Sequence, residues 1–327
     1  MAYSIGIDLG GTNIVVGLVD ESCAVVDRES AKTRAPRSAE SLTDSIASCI
    51  EKLLARHHLP VKQLQAIGIG VPGVVHPETG ELLHAINLFL KNVDFPGLIR
   101  ARFPEVTVCI ANDADCAVFG EYLAGAARNY KSALMLTLGT GVGGGFILEN
   151  RIFRGATGFG IEPGHMAVET EGTVECSCGQ RGCLEVYTTI RGLKRMTREA
   201  LSGGRASVLR DRVDFAEPSF NARLLFEAAA RGDVVANEVL DRFVHYLAIG
   251  IRNFVVLYRP HIILLGGGIS HAGDVLLKPL RAKVARTTVS GDVLPPPPIE
   301  CCRLGNDAGV IGAAMLHREG LDMRTPA

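Results

Sequence analysis

Three short glycine-rich segments, each beside an apolar run typical of a buried strand, limit most strongly what this chain can fold into. They are Asp8-Leu9-Gly10-Gly11-Thr12-Asn13, Leu138-Gly139-Thr140-Gly141-Val142-Gly143-Gly144-Gly145 and Leu265-Gly266-Gly267-Gly268. Glycine allows the backbone to approach a phosphate group closely, and the exposed amides then donate hydrogen bonds to it. One such loop can occur in any turn, but three in one chain predict a nucleotide held between two half-domains.

Polar residues in the first two segments indicate how phosphate would be bound. Asp8 would repel a phosphate group, so its position before the first glycines predicts a bridging cation such as Mg²⁺. Thr12 and Thr140 offer hydroxyl groups to phosphate oxygens. Neither segment has the Gly-Lys-Ser/Thr of a P-loop, and neither opens a helix with the Gly-x-Gly-x-x-Gly of a dinucleotide site. Taken alone, the first segment is equally typical of a tight hairpin that turns at Gly10-Gly11.

The bulk composition excludes several classes of partner. The chain has 327 residues, enough for two lobes, and its formal net charge of −1 gives no general attraction to nucleic acid or anionic membranes. No apolar stretch approaches the roughly 18 residues of a membrane helix, and the first residues lack the basic and apolar regions of a secretion signal. Nine cysteines, three of them within eight residues, favour a reducing compartment with a local metal site. We therefore expect a cytoplasmic protein without nucleic-acid or membrane partners.

The spacing of apolar residues predicts an α/β fold with an internal repeat. A strand, a glycine turn and a second strand occur at residues 4–19 and again at 133–148, which indicates a duplicated two-domain fold. Further strands are predicted at 25–30, 66–71, 107–110 and 262–265, and helices at 41–54, 114–124, 186–202, 222–231, 234–257 and 307–317. The prolines at 295–298 predict a surface loop. No structure is assigned to the polar segment 203–221.

Asn112 and Asp113 stand at a predicted strand-to-helix junction, where Asp113 has two interpretations. Aspartate is a favoured helix N-cap, so a structural role would be sufficient. The positive end of the helix dipole also keeps a carboxylate ionised. An ionised Asp113 can accept a hydrogen bond from a substrate hydroxyl and direct that oxygen at an electrophile, which is the role of the base in a kinase.

A cluster of soft metal ligands follows the second glycine segment. Glu162-Pro163-Gly164-His165 precedes Cys176-Ser177-Cys178-Gly179-Gln180-Arg181-Gly182-Cys183-Leu184-Glu185. Three cysteines and one histidine form a four-ligand set suited to tetrahedral Zn²⁺. Four protein ligands leave no open position for a metal-bound water, so the sequence predicts a structural zinc, with Gly179 and Gly182 letting the chain fold around it.

Together these motifs resemble the ROK family, named for repressors, open reading frames and kinases, and within it the ATP-dependent glucokinases. The resemblance covers nearly the whole chain, and its cysteine motif is far more specific than the glycine loops. The matching segments are Asp-Leu-Gly-Gly-Thr-Asn at 8–13, Asn-Asp at 112–113, the glycine segment at 138–145, Glu-x-Gly-His at 162–165, Cys-x-Cys-Gly-x-x-Gly-Cys-x-Glu at 176–185, Gly-Gly-Gly at 266–268 and Leu-Gly-Asn-Asp-Ala-Gly at 304–309.

The resemblance implies an actin-like, hexokinase-like ATPase fold in two lobes, with the active site in the cleft between them. The expected lobes are residues 1–112, completed by a C-terminal helix at about 306–320, and residues 113–305, which carry the zinc motif and elements for dimerisation and substrate binding. It also implies a homodimer or a homotetramer.

The resemblance further implies a role for each residue of the motifs. Asp113 would be the base on the sugar 6-hydroxyl, and Asn112 would bind a neighbouring hydroxyl. The other sugar hydroxyls would be held by Glu162, His165 and Glu185, and the zinc by His165, Cys176, Cys178 and Cys183. Asp8 would reach Mg²⁺ through water. The phosphates of ATP would be held by Gly10, Gly11, Thr12, Asn13, Thr140 and Gly141, and the adenosine by Gly266, Gly267 and Gly268.

The expected activity is therefore ATP-dependent phosphorylation of a hexose. Glucose is the default acceptor because the set Glu162, His165 and Glu185 is complete. Fructose, allose, mannose and N-acetylhexosamines stay open as acceptors, and polyphosphate stays open as a donor. The alternative from another class is a sugar-sensing transcriptional regulator of the same family. Such regulators carry a helix-turn-helix of several dozen residues in front, for which a phosphate motif starting at Asp8 leaves no room.

Overall fold

The computed structural model describes residues 2–213, 220–286 and 293–319 and has the α/β composition that the sequence predicts. Its strands are β1 (Tyr3–Leu9), β2 (Asn13–Asp20), β3 (Val25–Lys32), β4 (Leu64–Val71), β5 (Val74–Val75), β6 (Leu82–Ala85), β7 (Leu90–Val93), β8 (Thr107–Asn112), β9 (Ala133–Leu138), β10 (Val142–Leu148), β11 (Arg151–Ile152), β12 (Ile262–Gly266) and β13 (Ile299–Cys301). Its α-helices are α1 (Ala39–Arg56), α2 (Phe95–Arg102), α3 (Asp113–Leu123), α4 (Ile190–Leu201), α5 (Ala222–Ala230), α6 (Val234–Tyr258), α7 (Asp274–Ala285) and α8 (Asp307–Ala314).

The two five-stranded sheets share one strand order. The first sheet has the order β3-β2-β1-β4-β8 and the second the order β11-β10-β9-β12-β13. If the five strands of each sheet are numbered 1 to 5 along the chain, both sheets have the order 3-2-1-4-5. In the first sheet β3, β2 and β1 are antiparallel, and β1, β4 and β8 are parallel. In the second, β10 and β11 are antiparallel, and β12 and β13 are parallel. The shared order agrees with the duplication that the sequence repeat predicts.

Several elements differ from their predicted limits. The helix predicted at 186–202 begins only at Ile190, because the Thr189 side chain caps it by accepting a hydrogen bond from the Gly192 amide. The helix predicted at 307–317 divides into α8 and a 3₁₀ turn over Leu316–Arg318. The small sheet β5-β6-β7 and the helices α2 and α7 were not predicted. Of the segment 203–221, residues 214–219 lie outside the described part of the chain.

Packing groups the chain into two compact units. The first holds the described residues of Met1–Ala133, Gly145–Ile161 and Cys302–Ala327, and the second holds those of Leu134–Gly144 and Glu162–Cys301. Helix α3 belongs to the first unit because it packs extensively against α8. The lobe boundary predicted after residue 112 stays a prediction.

In the first unit, helix α8 lies directly against the backbone of the sheet. A Cβ atom on Gly6 of β1 would lie 1.9 Å from the carbonyl oxygen of Val310, and one on Gly68 of β4 would lie 1.7 Å from that of Ala313. Glycines of α3 and α8 permit a similarly close approach between those two helices. Only glycine fits at these positions, because real Cβ atoms do not approach other atoms so closely.

The second unit is built around the long helix α6. Helices α4, α5 and α7 pack against it, and its inward face includes Leu240, Phe243, Leu247 and Ile251, all buried. Every residue of β12 is buried, as expected for an internal parallel strand. Among the described residues, no helix combines the length and the apolarity that a membrane span requires.

We expect Gly68→Ala to lower the free energy of unfolding by at least about 2 kcal/mol, because its methyl group would force α8 away from the sheet. Gly139→Ala is the matched control, since a Cβ atom there would meet nothing within 4 Å. Urea unfolding of both variants measures the difference. Equal stability of the two variants would contradict the described contact between α8 and β4.

Candidate active site and metal centre

Three parallel strands of the first sheet bring the predicted acidic residues to one edge. Asp8 of β1 pairs with Gly70 of β4, and Val71 pairs with Asn112 at the end of β8. Because the strands are parallel, their carboxyl ends meet at the same edge, where ligands bind in open α/β sheets. Asp8, Asn112 and Asp113 therefore share one edge of the first unit.

Hydrogen bonds fix the junction between β8 and α3. The Asn112 amide nitrogen donates to the Gly73 carbonyl at 3.0 Å, and its Oδ1 accepts from the Ala114 amide at 2.8 Å. Asn112 is therefore the N-cap of α3. The carboxylate of Asp113 also accepts from the Ala114 amide, at 2.8 Å. Backbone amides of Asp113 and Ala114 thus orient the Asp113 carboxylate, while Asn112 takes the capping role.

The two carboxylates Asp8 and Asp113 sit in a poorly solvated, acidic environment. Burial, together with the negative charge of Asp113, raises the pKa of Asp8 from 3.8 to about 6. Burial also raises the pKa of Asp113, although hydrogen bonds from backbone amides oppose the shift. A hard divalent cation would relieve this charge, and carboxylate oxygens are the ligands that Mg²⁺ prefers. The donor set therefore fits a magnesium ion held near Asp8.

The first glycine segment forms a tight hairpin between β1 and β2. The Gly10 amide donates to the Asn13 carbonyl at 2.9 Å, and Gly11, Thr12 and Asn13 are exposed. Buried Thr33 braces this turn: its hydroxyl donates to the Gly10 carbonyl at 2.6 Å and its amide to the Thr12 carbonyl at 3.0 Å. The hairpin is thus held open to solvent, as a phosphate site requires.

The second glycine segment forms an equivalent turn between β9 and β10. The Gly139 amide donates to the Gly141 carbonyl at 3.1 Å, and the Gly139 carbonyl accepts from the Ile190 amide at 2.9 Å. Thr140 and Gly141 are exposed. The amide of Val142 donates to Oε2 of Glu185 at 3.1 Å. We call Gly139–Val142 the donor loop, after the nucleotide phosphates that the sequence predicts it to hold.

The four predicted zinc ligands converge within the second unit. The ligand atoms of His165, Cys176, Cys178 and Cys183 all lie within 4.8 Å of one another. Nδ1 of His165 is 3.5 Å from Sγ of Cys176, and Sγ of Cys178 is 3.6 Å from Sγ of Cys183. A tetrahedral Zn²⁺ with ordinary bond lengths has ligand separations of about 3.5–3.8 Å. The arrangement fits zinc, and it leaves Nε2 of His165 as the ring nitrogen outside the cluster.

Two glycines shape the segment that carries these cysteines, residues 175–183, which we call the zinc loop. Gly179 and Gly182 have φ of +82° and +80°, a region that disfavours other residues. A Cβ atom on Gly182 would lie 1.8 Å from the Glu169 carbonyl oxygen. This backbone conformation agrees with the expectation that the two glycines let the chain turn around an ion.

The third glycine segment borders a cavity in the second unit. Gly267 has φ of +78°, and a Cβ atom there would lie 2.5 Å from the Leu138 carbonyl oxygen at the end of β9. Beyond it, a cavity of about 560 Å³ lies between α5 and the 3₁₀ helix Gly268–Ala272. Its walls include Phe226, Ile269 and Ala272. A flat apolar ring such as adenine suits walls of this kind.

The structure thus gathers the predicted residues into two sets. The first unit holds Asp8, Gly10, Gly11, Thr12, Asn13, Asn112 and Asp113. The second holds Thr140, Gly141, Glu162, His165, Cys176, Cys178, Cys183, Glu185, Gly266, Gly267 and Gly268. Glu162 and His165 are exposed, and Glu185 is half-buried.

Sequence reasoning missed three supporting residues. Thr33 and Ser177 act through hydrogen bonds that no local pattern shows. Glu121 had a visible signal, because it is an acidic residue within an apolar stretch of α3. It is completely buried, and its carboxylate accepts from the amides of Arg303, Leu304 and Ala126 at 2.7–2.8 Å. Glu121 thereby anchors the segment that leads into α8.

Known proteins match this chain over nearly its whole length. A profile of the ROK family matches residues 4–319. A glucokinase of Halalkalibacterium halodurans is 34% identical over 321 residues, which cover 97% of this chain and 95% of that protein. A xylose repressor of Caldicellulosiruptor bescii is 31% identical over 279 residues, covering 85% of this chain and 68% of the repressor. The crystal structure of a ROK family glucokinase from Streptomyces griseus, in complex with glucose and AMPPNP, has a TM-score of 0.76 and 31% identity, covering 96% of this chain and 99% of that one.

The raised pKa of Asp8 predicts a pH-dependent stability. The folded protein holds the Asp8 proton up to about pH 6, whereas the unfolded chain releases it near 3.8, so folding stability falls as pH rises through this window. Without Mg²⁺ at pH 7.5, Asp8→Asn should therefore raise the free energy of unfolding by about 1–3 kcal/mol, and the gain should shrink at pH 5. Thermal unfolding at both pH values measures it. A variant no more stable than wild type at pH 7.5 would contradict the burial of an ionised Asp8.

The metal centre predicts one zinc ion per chain. Cys178→Ala should abolish zinc binding and cost several kcal/mol of stability, since structural zinc contributes roughly 10–16 kcal/mol in small zinc-finger peptides. Cys302→Ala is the control because Cys302 is not part of the cluster. Elemental analysis with thermal unfolding checks both variants. Full zinc content in Cys178→Ala would refute the proposed ligand set.

Proposed function

The chain belongs to the ROK family and is a hexose kinase, and we propose that it transfers the γ-phosphoryl group of ATP to the 6-hydroxyl of its sugar, with glucose as the preferred acceptor. The observation that carries this proposal is the placement of Asp113. It begins α3 at the sheet edge, beside a separate N-cap, and burial raises its pKa. A carboxylate in this state is oriented by the first turn of α3 and is a stronger base than a fully solvated one.

Asp113 would accept the proton of the sugar hydroxyl as that oxygen attacks phosphorus. A raised pKa makes a carboxylate a stronger base. The first turn of α3 supports the anion before the sugar binds. The main requirement of phosphoryl transfer is positioning with charge stabilisation, so Asp113 chiefly orients the attacking oxygen.

The donor would be held through backbone amides and hydroxyl groups. Exposed Thr12 and Thr140 lie in two turns whose backbones are fixed by internal hydrogen bonds. Asp8 would hold Mg²⁺, which neutralises phosphate charge when bound. The cavity beside Gly268 would take the adenine ring. Preformed turns of this kind lower the entropy cost of ordering the triphosphate.

The sugar would be held by polar side chains on fixed elements. Asn112 caps α3, Glu162 and His165 flank a single 3₁₀ turn, and Glu185 lies in another. Zinc bound at Nδ1 of His165 would fix the orientation of the ring and present Nε2 to a hydroxyl. Such a site rejects sugars that leave a buried polar group unpaired.

The glucose preference is supported by the full set of hydroxyl-binding residues and by the similarity to glucokinases. ADP release with Mg-ATP across a panel of hexoses and N-acetylhexosamines tests it. We expect the highest kcat/KM with glucose. A higher value for another sugar would overturn the preference but keep the mechanism. Activity with polyphosphate alone would overturn ATP as donor, and sugar binding without turnover would favour a sensor.

If Asp113 is the base, its replacement should lower turnover but leave glucose binding nearly unchanged. Asp113→Asn should lower kcat by roughly 10²–10⁴ while the affinity for glucose stays within a few fold, because the amide keeps the shape but cannot take the proton. Asp44→Asn, a change on the exposed surface of α1, is the control. Steady-state kinetics measures kcat, and calorimetric titration measures the affinity for glucose. A kcat near wild type in Asp113→Asn would remove the residue from the role of base.

A further inference from the structure

The Glu185 carboxylate, which the proposed function assigns to the sugar, joins the zinc loop to the donor loop. Oε2 accepts from the Val142 amide of the donor loop at 3.1 Å. Oε1 accepts from the Ser177 hydroxyl of the zinc loop at 3.2 Å and lies 3.8 Å from Sγ of Cys176. All four residues belong to the second unit. One side chain therefore spans from the zinc loop to the backbone of the donor loop.

A second contact ties the same elements together. A Cβ atom on Gly164, in the turn that carries His165, would lie 2.3 Å from the Val142 carbonyl oxygen. A Cβ atom on Gly141 would lie 3.0 Å from Oε2 of Glu185. The backbone of Val142 thus has the His165 turn against its carbonyl oxygen and Glu185 against its amide. A small rotation of the Glu185 carboxylate must move this peptide or break its hydrogen bond.

Glu185 still has capacity for a sugar. An ionised carboxylate offers about four lone-pair sites, and the Val142 amide, the Ser177 hydroxyl and, at 3.8 Å, the Cys176 thiol donate to three of them. A sugar hydroxyl can therefore bind the same carboxylate without displacing these partners. Donors that share one carboxylate together restrict its orientation, so the contacts of Glu185 with Val142, Ser177 and the sugar should be energetically coupled.

We propose that Glu185 links the acceptor sugar to the donor loop, and that Ser177 is the positioning residue that makes this link effective. This inference rests on the proposed function. Ser177 is exposed and binds neither zinc nor phosphate in this assignment. It anchors Oε1, which directs Oε2 at the Val142 amide. Binding of the sugar then stiffens the donor loop, and binding of the nucleotide must strengthen sugar binding by the same factor.

The test is a binding cycle measured by calorimetry on the zinc-loaded protein. Affinity for Mg-AMPPNP is measured with and without saturating glucose, and the ratio of the two dissociation constants is the coupling factor. We expect glucose to tighten Mg-AMPPNP binding in wild type within the range of about 5–150-fold usual for coupled sites. Ser177→Ala should reduce that factor by about threefold or more, with unchanged zinc content.

Two further variants distinguish a positioning role of the Ser177 hydroxyl from a general disturbance of the zinc loop. Ser177→Thr keeps a hydroxyl group and should restore the coupling factor. Gln180→Ala changes another exposed residue of the zinc loop and should leave the factor at its wild-type value. A coupling factor in Ser177→Ala equal to that of wild type, with glucose phosphorylation intact, overturns this inference alone. A wild-type protein that binds Mg-AMPPNP but no hexose overturns the proposed function and this inference with it.

Discussion

The close approach of α8 to the first sheet is the contact on which the catalytic edge depends. Glycines at positions 6 and 68 let the helix backbone touch the strands, and α8 packs equally closely against α3. A Cβ atom on Gly309 of α8 would lie 3.6 Å from the Asp8 carboxyl group. The same packing therefore positions Asp8, fixes the helix that begins at Asp113 and partly shields both carboxylates from water. Their raised pKa values are a consequence of how tightly this unit is built.

The second unit packs around α6, and it must also hold exposed polar loops in fixed positions. The Glu185 carboxylate and the positive-φ glycines hold the zinc loop against the donor loop. A zinc ion on the four clustered ligands would have no free position for water, and under the proposed function it would orient His165 and its neighbours. In that proposal the first unit provides the carboxylates Asp8 and Asp113, and the second provides the groups that recognise the sugar.

Local patterns predicted much of this arrangement, and long-range packing explains the remainder. The glycine turns, the Asn112-Asp113 junction and the four zinc ligands stand in short motifs, so the sequence places them within single loops. The shared strand order agrees with the duplication that the repeat at 4–19 and 133–148 predicts. The sequence did not reveal the roles of three supporting residues, because each contacts a partner outside its own motif or turn: Thr33, Ser177 and Glu121. Glu121, for example, accepts hydrogen bonds from backbone amides 182 and 183 positions further along the chain. The start of α4 depends on a Thr189 cap that apolar spacing does not reveal.

The position of the transferred phosphate tests the central claim most directly. Purified enzyme is incubated with Mg-ATP and ¹³C-labelled glucose, and the product is examined by phosphorus–proton correlation NMR. The account predicts a single sugar phosphate whose phosphorus couples to the two protons on carbon 6. Coupling to the proton on carbon 1, or formation of inorganic phosphate alone, would contradict it.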